Sequence, residues 1–453
     1  MYNTLEALIE NDGFVCPVCG RRHYGKLENC VIGENALASL PGLVKKLVPD
    51  SPKAFILCDR DTFTAAGERV TKLLEAEKIE YKLHIVERKK PAPDDRIVGE
   101  ALMWIDKSCN LVIAVGGGVM NDTCKIIATA YDIPDIIVGT APSMDGFASA
   151  TSSMERCGFK ISIDSKCPEA VIGDTSILAA APKKMIRSGI GDMLAKYISI
   201  VEWRLGKLIR GEYYCDFIAG LVRKSLSEVV GNSESALSGD KEAAGKVMRG
   251  LVLAGLGMNY AGISRPASGM EHYVSHVLDM RALEFGSHAD LHGIQCALGT
   301  LMTLRGYEIL TEKINKNGID RERALESVVG FSREKWFDVL REKFGKGADA
   351  MIANELREGK YDKDSHKVRL DFIIRHIDEI LGIVKDLPTS AEIYDFMKKV
   401  GLPTTAAELG VSRGELRDAF YMAKDIRDKY VLGRLLWDLG LLDEVTDEVM
   451  KSF

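Results

Sequence analysis

Four of the chain's eight histidines fall within 21 residues: His272, His276, His288 and His292. They form two pairs, each separated by four, so both members of a pair share one face if the segment is helical. Such clustering points to a metal, because neutral imidazole is a common ligand. A catalytic divalent-metal site needs three protein ligands and an open position. Asp192, a Gly-flanked acid in the run Ser188-Gly-Ile-Gly-Asp192, offers a carboxylate. Its competing use is a helix N-cap. Asp192, His272 and His292 are the candidate ligand set. His288 rivals His292 for the third place, although His292-Gly293 gives the cleaner helix turn. His276, one turn past His272, is then free for proton transfer or for holding a substrate oxygen.

A second chemistry is carried by glycines. Val115 is followed by Gly116, Gly117 and Gly118, then by Val119, Met120, Asn121 and Asp122. Three glycines leaving an apolar run and entering a helical pattern let the backbone turn sharply and approach a ligand closely. The helix start then offers unpaired N–H groups and partial positive charge to a phosphate. The run is neither G-x-G-x-x-G nor a Walker loop. Asp122 is placed to cap or orient it. The loop from Thr140, Ala141, Pro142 and Ser143 through Asp145 to Ser149 is dense in hydroxyls and carries one carboxylate. It falls where ligands bind in open α/β sheets, at the carboxyl edge of the strands; the competing reading is a polar loop capping a helix. Asp59 ends an earlier apolar run. An acid there can bond ribose hydroxyls and repel a 2′-phosphate, which points to NAD over NADP.

The N-terminal segment holds Cys16, Cys19, His23 and Cys30 in the order C-x2-C-x3-H-x6-C. Two readings are open, a structural metal or a short hairpin with free thiols. The second pair is crowded compared with the usual module, where about 12 or more residues separate the pairs, and this favours the hairpin.

The elements that must position these groups are legible as a pattern. Strand-like runs at Lys53–Cys58, Tyr81–Val86, Leu111–Val115 and Ile136–Gly139 alternate with helical stretches at Asp61–Ile79, Asp94–Lys107 and Asn121–Ala130. This predicts a parallel sheet with helices on both faces. Continuous runs such as VIAV suit strands buried on both sides. After about residue 188 the strand signal vanishes, and residues 190–230, 241–260, 268–280, 291–314, 322–330, 370–386 and most of 390–453 read as helical. The expected organisation is an extension at 1–30, a dinucleotide-binding α/β domain at 31–187 and an all-helical metal and substrate domain at 188–453.

Composition narrows the partners. The chain has 453 residues, 60 basic against 66 acidic, a net charge of −6. That balance argues against nucleic acid or an anionic membrane as the main partner. No apolar run approaches the ~18 residues of a spanning helix. The first residues carry no basic or apolar leader pattern, and ten cysteines are too sparse for a disulfide scaffold. A reduced cytoplasmic protein is the expectation.

Taken together, GGGVMND, TAPSMDGFAS, GIGDMLAKY, SRPASGMEHYVSH and LHGIQ resemble the sn-glycerol-1-phosphate dehydrogenases, of the superfamily that includes iron-type alcohol dehydrogenases, glycerol dehydrogenases and dehydroquinate synthases. The helical tail, with LPTTAAELGVSR and AKDIRDKYVLGRLLWDLGLL, is similar to the bacterial branch. The resemblance implies a Rossmann-like domain followed by a helical one. It implies NAD or NADP contacts from Gly118 to Asp122, from Thr140 to Ser143 and from Ser149, and substrate contacts from Asp145 and His276. It implies metal ligation by Asp192, His272 and His292, and it decides for His292 over His288. Zinc is the expected ion, with nickel and iron as alternatives. A homo-oligomer is the default for such enzymes. Arg265, close in sequence to the metal histidines, is the candidate for the substrate phosphate, together with Ser268 and helix N–H groups; a surface arginine is the competing reading. The expected reaction interconverts dihydroxyacetone phosphate and sn-glycerol 1-phosphate. Alternatives are a glycerol dehydrogenase, a dehydroquinate synthase-type lyase and a non-catalytic nucleotide-binding protein. The N-terminal Cys/His segment departs from the family's minimum.

Overall fold

Apolar runs too short to be helices become strands here because both of their faces can be covered. The computed structural model describes residues 5–11, 13–156 and 159–453. Six strands form one parallel sheet: β1 (Asn29–Gly33), β2 (Lys53–Asp59), β3 (Glu80–Val86), β4 (Leu111–Gly116), β5 (Asp135–Gly139) and β8 (Ala170–Asp174). Their order is β1-β8-β5-β4-β2-β3. One face carries Ile56, Cys58, Ile113, Val115 and Val138, packed on Leu40, Val44, Val70 and Leu74. The alternate residues Phe55, Leu57, Val112, Ala114 and Ile137 are equally buried. That double burial is why the runs are continuous rather than alternating. A small antiparallel pair, β6 (Thr151–Arg156) and β7 (Phe159–Asp164), stands apart.

The strand order turns around between β2 and β4. From β2 the chain continues outward to β3, while β4 begins the run through β5 to β8 on the other side. Such a switch leaves a crevice at the carboxyl ends of the two strands, the preferred ligand position in open α/β sheets.

Contacts divide the chain into two units. The first comprises Met1–Met193 and Cys215–Ala267; the second, Leu194–Tyr214 and Ser268–Phe453. The helices Asp216–Leu237 and Lys241–Ala261 therefore pack within the first unit. Met248 lies against β5 and β8, where a Cβ on Gly139 would meet its Cε at 2.8 Å. The expected helix over 190–230 is two helices, Lys183–Arg210 and Asp216–Leu237. Gly211, at φ +68°, breaks it, a backbone conformation that side chains with a Cβ rarely adopt. Strands β1, β6, β7 and β8 were not expected, and β1 begins inside the segment read as an extension. The second unit is helical throughout. Among the described residues, no helix is long and apolar enough to cross a membrane.

Candidate active site

In the first unit, the segments expected to meet a nucleotide gather at one sheet edge. Asp59 ends β2, Gly116 ends β4 and Thr140 follows β5, and these three strands are neighbours. Gly117 precedes the helix Gly118–Tyr131 with no side-chain cap, so the first N–H groups of that helix have no capping side chain. The Thr140 N–H donates to Gly116 O at 3.1 Å and joins the two loops. Val119 and Met120 continue the helix. Asn121 Oδ1 is buried without a hydrogen-bond partner among the described residues, which fits an occupant of the crevice. Ala141, Pro142 and Ser143, which directly follow Thr140, are buried.

Several of these residues also build the loop itself. Asp59 accepts from Thr62 N at 2.8 Å and caps the short helix Arg60–Thr62. Asp122 Oδ1 pairs with Lys125 Nζ at 3.1 Å and Oδ2 accepts from Ser153 N. Lys125 is fully buried and donates to Gly146 O (3.2 Å), Ser149 Oγ (3.1 Å) and Thr151 O (2.6 Å). This one cation shapes the second loop, and sequence reasoning missed it. Its signal was an i,i+3 spacing from Asp122 on a helix.

The two acids come together. The Asp145 N–H donates to Asp192 Oδ2 at 2.9 Å, and Asp192 is completely buried. Gly189 explains the approach: a Cβ there would run into Pro142 O. Three residues further along the same helix, Asp192 faces the same loop. Arg265, also in the first unit, is buried rather than at the surface.

In the second unit, His272, His276 and His292 converge. Their ring centroids lie 5.0 Å (272–292), 5.6 Å (276–292) and 6.5 Å (272–276) apart. His272 sits in the helix Met270–Phe285 and His292 opens the helix His292–Asn317. These helices touch closely because Gly299 has no Cβ; one would meet Glu271 O at 2.6 Å. His272 Nδ1 is 2.9 Å from Glu271 Oε1, so it donates and leaves Nε2 as a lone pair. His292 Nδ1 lies 3.0 Å from Ser275 Oγ. Gln295 Nε2 reaches both Ser275 Oγ (3.0 Å) and Asp279 Oδ1 (2.7 Å). Cys296, at i+4 from His292, brings its sulfur to 3.6 Å from Nε2. His272, His292 and Cys296 each offer a ligand atom within 4.8 Å of one another. His288 is exposed, its ring against Gly410. Two imidazoles with one nitrogen each already held suit a divalent ion by donor chemistry.

Residues 31–182 match the iron-containing alcohol dehydrogenase family. A glycerol-1-phosphate dehydrogenase [NAD(P)+] of Bacillus licheniformis is 29% identical over 428 residues, 94% of this chain and 92% of the relative. One from Pyrococcus furiosus is 33% identical, over 63% of this chain and 80% of the relative. The chain belongs to the glycerol-1-phosphate dehydrogenase family. Among solved structures, a glycerol dehydrogenase from Schizosaccharomyces pombe superposes with a TM-score of 0.59 at 17% identity, covering 93% of this chain and 90% of its own. That likeness establishes the fold.

Within a member of this family, the unforeseen residues are those that hold the histidines. Glu202 is buried and accepts from Met270 N (2.8 Å), Leu432 N (2.7 Å) and Tyr307 OH (3.1 Å). It anchors the start of the His272 helix, where N–H groups favour an anion. Burial and the Glu202 carboxylate hold the Tyr307 phenol well above its ordinary range, so it stays a donor. Lys429 Nζ donates to Ser268 O at 2.8 Å. No local pattern connects these residues; Glu202 precedes Leu432 by 230 positions.

Proposed function

We propose that the chain interconverts dihydroxyacetone phosphate and sn-glycerol 1-phosphate, with NAD or NADP and one divalent ion, zinc or else nickel or iron. The likeness to the B. licheniformis glycerol-1-phosphate dehydrogenase, spanning nearly all of both chains, carries this reading. In it, residues 31–187 serve the nucleotide and 188–453 the ion and substrate. The N–H groups at Gly116–Asp122 bind the pyrophosphate, with Thr140–Ser143 and Ser149 beside them and Asp59 taking ribose hydroxyls. Asp192, His272 and His292 hold the ion, while Glu271 and Ser275 fix the two rings. When bound, the nucleotide supplies a hydride and the ion withdraws electrons from the substrate carbonyl. Asp145, tied to Asp192, orients the substrate hydroxyl. His276 delivers the proton that the reduced oxygen takes up. Arg265 and Ser268 receive the phosphate. A cytoplasmic homo-oligomer completes the reading.

The test is oxidation of NADH and NADPH with dihydroxyacetone phosphate, before and after chelation, alongside metal analysis. Turnover that vanishes on chelation and returns with the ion is expected. Faster oxidation of glycerol than of glycerol 1-phosphate would overturn the substrate, and Arg265→Ala with an unchanged KM for dihydroxyacetone phosphate would overturn the phosphate contact.

A further inference from the structure

A second set of metal donors lies entirely within the first unit. Cys16, Cys19, His23 and Cys215 each present a ligand atom within 4.8 Å of one another. Cys16, His23 and Cys215 are each 1% exposed. The first three come from one tight turn. Cys16 N–H donates to Arg21 O and His23 N–H to Phe14 O, both at 2.9 Å. Gly20, at φ +72°, makes the turn just after Cys19. Cys215 comes from elsewhere, as the residue preceding the helix Asp216–Leu237.

The distances match a bound ion more closely than a set of free thiols requires. Cys16 Sγ and Cys215 Sγ are 3.7 Å apart; His23 Nε2 is 3.5 Å from Cys19 Sγ and 3.7 Å from Cys215 Sγ. A tetrahedral zinc with ~2.3 Å bonds to sulfur and ~2.0–2.1 Å to nitrogen sets sulfurs ~3.8 Å apart and sulfur–nitrogen pairs ~3.5–3.6 Å apart. A disulfide would need ~2.05 Å. The ring is also set for ligation. His23 Nδ1 lies 3.0 Å from Tyr260 O, a pure acceptor, so Nδ1 carries the hydrogen and Nε2 the lone pair. Phe14, Phe217 and Tyr260 wall the ring in, with centroids 5.5–6.3 Å away.

We propose that Cys16, Cys19, His23 and Cys215 bind a structural zinc ion that fastens the N-terminal turn to the start of the helix Asp216–Leu237. Four protein ligands fill the tetrahedron, so the ion has no open position and no part in turnover. The site is distinct from the proposed catalytic one and does not depend on that assignment. Cys30, the fourth donor in sequence order, is not a ligand; it lies in β1, paired with Val171.

The experiment is zinc counting on the full-length protein, purified under reducing conditions without chelator, for wild type and for Cys215→Ser, Cys19→Ser and Cys30→Ser. Loss of about one zinc per chain in the first two and none in Cys30→Ser is expected. Equal zinc in wild type and Cys215→Ser overturns the proposal, as does loss in Cys30→Ser matching that in Cys215→Ser. Should the ligand variants fail to fold, the cobalt(II)-loaded Cys296→Ser protein, with Cys16, Cys19, His23 and Cys215 all intact, decides. A sulfur-to-cobalt charge-transfer band of three-thiolate strength in a Cys296→Ser background supports the site. Absence of that band overturns it, and so does a Cys16–Cys215 disulfide in a non-reducing peptide map.

Discussion

The two groups of imidazole and thiol donors are built in opposite ways. In the second unit, His272 and His292 come from two helices pressed together at Gly299. Each ring is oriented by a side chain, Glu271 for one and Ser275 for the other, and His292 remains half-buried. In the first unit, three of the four donors come from one turn, sulfur dominates, and a backbone carbonyl fixes the one imidazole. Side-chain orientation with a partly open ring suits an ion that must exchange ligands; backbone fixation with a closed thiol-rich shell suits one that must not. Donor count alone would have treated the two groups as equivalents.

The sharpest break in the comparison comes from His272→Ala. Removing a ligand of an ion worth several kcal/mol in the transition state lowers kcat/KM for dihydroxyacetone phosphate on the order of 10³-fold. The thiol-bound zinc stays. Retention of more than a tenth of the activity in a steady-state assay would place the catalytic ion elsewhere. Cys215→Ser gives the converse. Loss of a structural ion costs ~3 kcal/mol or more. At ~2–4 °C per kcal/mol for a unit of this size, the melting temperature falls by roughly 6–12 °C. Calorimetry reads the shift directly, and an unchanged melting temperature would strip this group of its structural role.

How much of this was readable in the sequence depends on the range of the interaction. The glycine turn at 116–118, the parallel strands at 53–58 and 111–115 and the histidine pairs are local patterns, and periodicity or spacing exposes them. β1 and β8 were missed, and no local pattern announces a pairing that joins Asn29 to Ala170. The helices after residue 215 were read as helices, but nothing in their periodicity says that Met248 packs on the α/β sheet. Among site residues, Lys125 had a local signal in its spacing from Asp122. Glu202 had none, because its three donors lie 68, 105 and 230 positions away.

A smaller effect sharpens the side-chain half of the comparison. Ser275→Ala leaves His292 in place but removes the hydroxyl at its Nδ1, and Gln295 loses one of its two acceptors. Partners behind a metal ligand are worth 10–100-fold in affinity. With Asp279 still 4.0 Å from the same nitrogen, the low end applies, and chelator competition should show binding weakened about 10-fold. Affinity equal to wild type would mean that packing, not the hydroxyl, orients the ring.

The smallest expected effect tests whether sequence proximity or spatial convergence defines the thiol group. Cys30 stands seven residues after His23, and by spacing it completes C-x2-C-x3-H-x6-C. In the fold its backbone is committed to the parallel ladder between β1 and β8, and its sulfur is not among the four donors that gather within 4.8 Å of one another. Serine keeps the ladder and puts a hydroxyl where sulfur packed, at a cost of about 1 kcal/mol. The melting temperature then falls by roughly 2–4 °C, well short of the change for Cys215→Ser. A fall as large as that of Cys215→Ser would reassign the fourth position to Cys30 and make the N-terminal turn an independent module. A small one leaves Cys215 as the fourth donor, supplied from the start of a helix 185 positions further along the chain than Cys30.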